Sequence, residues 1–161
     1  MEYYKKENCL VRDSVKEDIE KLKDHLRESD VIEIWNSHHL IPEDALEISF
    51  EDSELCLTIE KNGIPIGMFG ITPPTLLADT ASVWLLATQE LETLNKSFVK
   101  ESKGFIEMFL ARYPTLENYI DANNIKSFIW LKRCGAKIDP PALYGVEKKL
   151  FRHFTFRRED A

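Results

Sequence analysis

This sequence predicts an α+β domain in which a mixed sheet is flanked by helices, and three stretches carry that reading. In "LCLTIEKNGIPIGMFGI", Leu55, Leu57 and Ile59 alternate with Cys56, Thr58 and Glu60, and Asn62-Gly63 then turns the chain into a second apolar run over residues 64–71. Period-two alternation around an Asn-Gly pair marks a β-hairpin. "ASVWLL", starting at Ala81, is apolar on both faces, as a central strand requires. In "NYIDANNIKSFIWLKRCGAKI", residues 118–138, a strand stops at two asparagines, a short helix follows, and a glycine leads into another apolar strand.

The other elements fall around these. A short strand over residues 9–12 leads through Asp13-Ser14 to a helix over residues 15–27, with Ile19, Leu22 and Leu26 on one stripe. A second, shorter helix covers residues 31–36. Residues 40–50 follow neither period. After Pro73-Pro74 and the strand from Ala81, a long helix carries Leu91, Leu94, Phe98, Phe105 and Phe109 on one face and ends near Tyr113-Pro114. A last strand, "LFRHFTF", follows the Pro140-Pro141 loop. The expected order is β α α β β β α β α β β, in one domain spanning residues 1–161, with no repeat or Gly/Ser linker to divide it.

Composition narrows the function classes. The net charge is −7, which argues against general nucleic-acid binding. Residues 1–60 hold 17 Asp/Glu and 7 Lys/Arg, whereas residues 61–161 hold 11 and 14. That division fits an acidic rim for a cationic partner beside a basic site for an anion, or an ordinary solvated surface. No run of eighteen apolar residues occurs, and the N-terminal stretch has no hydrophobic core of a leader peptide, so a soluble, cytoplasmic chain is expected with no membrane partner. Cys9, Cys56 and Cys134 are widely spaced and odd in number, which points to reduced thiols rather than a disulfide frame or a zinc site. His38-His39 has no third ligand at metal spacing, and no G-x-S-x-G, Walker or H-E-x-x-H motif is present.

The element order, together with an Asn after a strand, a short helix over residues 125–134 and Gly135-Ala136, resembles the GCN5-related N-acetyltransferase (GNAT) fold. More narrowly, "RYPTLENYIDANNIKSFIWLKRCGAKI" with its preceding helix and hairpin looks like a phage family of internal virion proteins, itself acetyltransferase-like. The resemblance covers residues 50–138. It implies an acetyl-CoA slot, with the pantetheine arm along Val83, Trp84, Leu85, Leu86 and Ala87. It further implies cofactor contacts at Gln89, Asn95, Lys96, Asn123, Asn124, Ser127 and Trp130, with Trp84 and Trp130 flanking the slot.

Two departures stand against a working site. The family grips pyrophosphate with a Gln/Arg-x-x-Gly-x-Gly/Ala loop at a helix N-terminus, where backbone N–H groups suit an anion. Here "QELETL" keeps Gln89 but sets Glu92 and Leu94 where glycines belong, while Lys96, Lys100 and Lys103 form a stripe that either a phosphate or an ordinary solvated helix face would explain. The family's tyrosine acid, four residues before the glycine, is Leu131 here. Tyr119 and Tyr144 are possible substitutes, and Asp79, Asp121 and Glu60 are candidate bases. The resemblance thus implies either a virion assembly or host-interaction protein with a degraded cofactor site and no cofactor, or an acyl-CoA-dependent N-acetyltransferase acting on an amine. Its partners would be phage or host proteins, and its location the host cytoplasm or the virion.

Overall fold

The computed structural model describes every residue except Leu76, Asn95, Asp160 and Ala161, and residues 96–99 by their backbone alone. Among the described residues, nine strands and five helices make up the α+β, mixed-sheet architecture that the sequence predicts. The chain divides into two compact units, one of residues 1–35, 40–72 and 84–93, the other of residues 36–39, 73–83 and 94–161.

In the first unit, β1 (Glu2–Lys6), β2 (Cys9–Asp13), β3 (Leu55–Lys61) and β4 (Ile64–Thr72) pair antiparallel in that order, and the last half of β5 (Thr80–Ala87) lies next to β4. Val11 stands opposite Ile59, and Leu57 opposite Phe69. The hairpin turn holds Asn62 and Gly63 at φ of 53° and 79°, the left-handed pair that an Asn-Gly turn supplies at low steric cost. Strand β1 was not expected; its alternation is hidden by a run of Tyr, Lys and Glu.

Helix α1 (Glu17–Leu22) is half the expected length, because Leu26 and Arg27 leave the helix and Leu26 forms a β-bridge with Thr88. Helix α2 (Glu28–His38) is correspondingly longer than its sequence pattern indicates. The aperiodic stretch after Leu40 is a third helix, α3 (Pro42–Asp52), with Pro42 in its first turn and Glu43 and Asp44 beside the dipole's positive end. Ile19, Leu22, Ala45, Leu46, Met68 and Leu86 are buried together, so both helices cover one face of β4 and β5.

In the second unit, β5 runs parallel to β6 (Thr115–Asp121) from Thr80↔Thr115 to Ser82↔Glu117. Strand β9 (Lys149–Arg157) pairs antiparallel with β6 and also carries β7 (Lys137–Ile138) and β8 (Ala142–Tyr144). The long helix α4 (Lys96–Arg112) begins later than its apolar stripe suggested: Leu91 lies in a short 3-10 helix, Gln89–Thr93, and Leu94 lies between the two. Helix α5 (Ile125–Arg133) is closed at both ends by the residues that drew attention to it. Asn124 caps its start, the side chain accepting from Ser127 N at 3.2 Å. At its end Gly135 takes φ 98°, Gly135 N donates to Lys132 O and Ala136 N to Leu131 O, a Schellman closure.

Candidate functional site

The strand that would carry the cofactor is β5. Thr88 N donates to Ile66 O at 2.8 Å, so Thr88 faces β4 and the peptide groups of Val83, Leu85 and Ala87, of opposite parity, face the other edge. In the first unit that edge is closed at Ala87. Its N–H donates to Asp30 Oδ2 at 2.9 Å, and its carbonyl accepts from Arg27 N at 2.8 Å. Asp30 is 3% exposed and also takes both Nε and Nη2 of Arg27, at 3.1 and 3.0 Å. Burial pushes the Asp30 carboxyl up from its ordinary value, against the pull of Arg27 and the Ala87 amide, and Glu92 adds to the upward shift. In the second unit, the ladder between β5 and β6 ends at Ser82, and the Asn118 side-chain amide then donates to Val83 O at 2.7 Å. Next to Ala87, Thr88 Oγ1 is buried without a hydrogen-bond partner.

The pyrophosphate position is equally particular. Gln89 begins the 3-10 helix, but its amide donates to Glu92 Oε2, and Lys61 Nζ is held by Glu90 at 3.3 Å and Thr93 at 2.8 Å. Gln89, a candidate phosphate donor, and the neighbouring Lys61 are therefore both bound to the chain itself, beside two carboxylates. Asn95 and the side chain of Lys96 lie outside the described residues, while Lys100 is exposed on α4. On the described residues the acetyl-CoA grip does not fit: Gln89 is held by Glu92, and the Ala87 amide is already taken by the buried Asp30 carboxyl.

The other candidate residues occupy defined places. Trp84 packs against the first unit's core and its indole donates to Ser53 Oγ at 2.8 Å. Leu86 is buried in that core, and Trp130 is half-buried on α5 in the second unit. Asn123 N donates to the Asp121 carboxylate at 2.8 Å, so Asp121 closes the turn into α5. Asp79 accepts through its backbone carbonyl from Thr115 N and through its side chain from Thr80 Oγ1. Glu60 is engaged by Arg12 at 3.1 Å. Leu131 is buried, as a packing residue would be.

Tyr119 and Tyr144, the two candidate acids, meet in the second unit in a cluster whose other members the sequence did not single out. Tyr119 and Tyr144 stack with ring centroids 3.7 Å apart and planes within 10°. Beside Tyr119, His153 places Nδ1 3.2 Å from Asp139 Oδ2 and Nε2 3.2 Å from Glu117 Oε2. Burial, with Tyr119 and Glu117 adding to it, raises the Tyr144 phenol. The only sequence signal for this group is period-two spacing, which puts Glu117 and Tyr119 on one face of β6 and His153 opposite Tyr119.

Elsewhere, His38 meets Ser37 and His39 meets Glu147, and among the described residues no cluster of His, Cys, Asp or Glu could hold a metal. The three cysteines are free, with burial pushing the Cys56 thiol up to about 11. No helix among the described residues is long and apolar enough to cross a membrane.

No family model matches the chain, and no curated protein matches it. Solved structures do. A ribosomal-protein-S5-alanine acetyltransferase from Vibrio fischeri superposes with TM-score 0.68 at 11% identity, covering 99% of this chain and 98% of the other. A spermidine N-acetyltransferase from Vibrio cholerae, in complex with CoA and spermine, gives TM-score 0.67 at 11% identity over 93% and 95%. A GNAT-family acetyltransferase from Bacillus anthracis gives 0.68 at 9% identity over 98% of both chains. Identities this low speak for architecture alone. Strand order, the Asn-capped α5 and these superpositions together establish that the chain has the GNAT acetyltransferase fold.

Proposed function

We propose that this chain is a phage-type binding protein built on the acetyltransferase scaffold, acting in virion assembly or on a host protein, with little or no acetyl transfer of its own. The observation that carries this reading is the closure of β5 at Ala87, whose N–H and carbonyl are both taken by the Arg27–Asp30 turn. An enzyme of this fold needs such backbone groups for its cofactor. The carboxylates of Glu90 and Glu92 at the pyrophosphate position support the same reading. The phage assignment rests on the resemblance of residues 50–138 to internal virion proteins, and places the chain in the host cytoplasm or the virion.

Calorimetry with acetyl-CoA, and free CoA as control, tests it. The expected result is no heat at millimolar ligand. Micromolar binding overturns it.

A second reading, an N-acetyltransferase acting on an amine, is favoured by Thr88 Oγ1, a buried hydroxyl with no partner that a bound group would satisfy. The acceptors named for the structural neighbours, a ribosomal-protein alanine and spermidine, would make an amine the first substrate class to screen. Acetyl transfer that disappears on changing β5 would establish it.

A further inference from the structure

We propose that the exposed faces of α2 and α3 in the first unit form a docking surface for a basic amphipathic helix of a partner protein. The inference rests on the binding-protein reading and adds the chemistry of what is bound.

Two observations meet here. Between residues 28 and 60 the chain contains ten Asp/Glu and not one Lys or Arg. The same segment exposes an unusual amount of apolar surface: Val31 is 36% exposed, Ile32 44%, Trp35 46%, Ile41 51% and Ile48 46%. These residues are spaced for one use. On α2, Glu28, Val31, Ile32 and Trp35 follow at intervals of three and four, a single stripe. On α3, Asp44, Glu51 and Asp52 stand four before, three after and four after Ile48, so carboxylates frame that apolar side chain.

Seven of the ten acidic groups fall into two sets. Asp30, Glu43 and Glu60 are paired with Arg27, Lys23 and Arg12. Glu28, Asp44, Glu51 and Asp52 are exposed and have no ion pair among the described residues. An apolar stripe edged by unpaired carboxylates selects its occupant by charge. A second copy of this chain would set like charges together, and nucleic acid or an anionic membrane would be repelled. A helix with leucine-like residues on one side and lysines or arginines along its borders buries the stripe and neutralises its rim.

The probe is a fluorescently labelled amphipathic Leu/Lys helix peptide titrated into the full chain, with the matching Leu/Glu peptide as control. The expected result is micromolar binding of the basic peptide that falls at least about tenfold in Ile32→Ser/Trp35→Ala, which leave the charge untouched. It should fall further on raising the salt, and the acidic peptide should not bind. Ile48→Ser provides a second variant, and unchanged circular dichroism and melting establish that each variant is folded. Equal binding of the two peptides, or equal affinity in the folded variants, overturns the proposal. So does a homodimer in sedimentation that Trp35→Ala dissolves. Heat from acetyl-CoA would sink the non-catalytic reading instead, whatever the peptide does, so the two failures are distinguishable.

Discussion

Asp30 and Ala87, 57 residues apart in the chain, are joined by a hydrogen bond of 2.9 Å from the Ala87 amide to a carboxylate that is almost fully buried. Asp30→Ala should therefore cost about 3–5 kcal/mol, because it strands the partly buried Arg27 guanidinium as well as an amide. Asp30→Asn keeps an acceptor and should cost less. Urea denaturation measures both, and hydrogen exchange at Ala87 should speed up in Asp30→Ala while β2 and β3 keep their protection.

Thr88→Val separates the two functional readings. With nothing bound, replacing a buried, unpartnered hydroxyl by a methyl of the same shape should leave the protein as stable or more stable, by up to about 1 kcal/mol. A loss of stability of that size that appears only in the presence of acetyl-CoA would place a ligand on Thr88.

Acid stability should depend on Asp18. This residue is 1% exposed, receives Arg12 through Nη1 and Nη2 at 2.9 Å each, and also accepts from Val15 N and Thr58 Oγ1. Burial alone would raise its carboxyl; the hydrogen bonds from Arg12, Val15 and Thr58 outweigh it and hold the group below the ordinary carboxylate value. Its stabilisation is thus present above that value and is lost as pH falls through the lower, folded one. Asp30 works in the opposite sense. Its carboxyl is raised, so its contribution is present at low pH and is lost as pH rises through the folded value. Asp18→Asn should flatten the acid limb of the stability profile, and Arg12→Ala should cost about 3 kcal/mol at neutral pH.

At the pyrophosphate position, Glu92→Gly removes a charge and a Cβ, and also releases the Gln89 amide. Whatever affinity for acetyl-CoA exists should rise by roughly fivefold, the equivalent of about 1 kcal/mol of relieved repulsion. Glu90→Ala, which frees Lys61, should act in the same direction. Calorimetry that shows no response to either change would mean that the phosphates do not lie here.

Gly145→Ala should destabilise by about 2 kcal/mol. The residue sits at φ 79°, and an added Cβ would fall 2.6 Å from Ser37 Cα and 2.8 Å from Asn36 O, where the turn after β8 grips residues 36 and 37. Thermal melting checks this, with Gly104→Ala in α4, where a Cβ meets nothing, as a control expected to stabilise.

Local chemistry alone determined a good part of this protein. Asn62-Gly63 needed nothing beyond its own backbone preferences to make the hairpin, and Asn124, Ser127 and Gly135 cap α5 through bonds that span no more than five residues. The α+β class was legible for the same reason, since periodicity is written residue by residue. The rest depends on distant partners. Leu26 fits the stripe of α1, yet it leaves the helix because a bridge to Thr88 takes its backbone. Nothing near Asp30 says that it will hold Ala87, and nothing near Glu117 says that His153 will stand between it and Asp139. Such contacts exist only once the sheet has brought residues tens of positions apart into register, and the free energy that holds them is shared among all the packing around them.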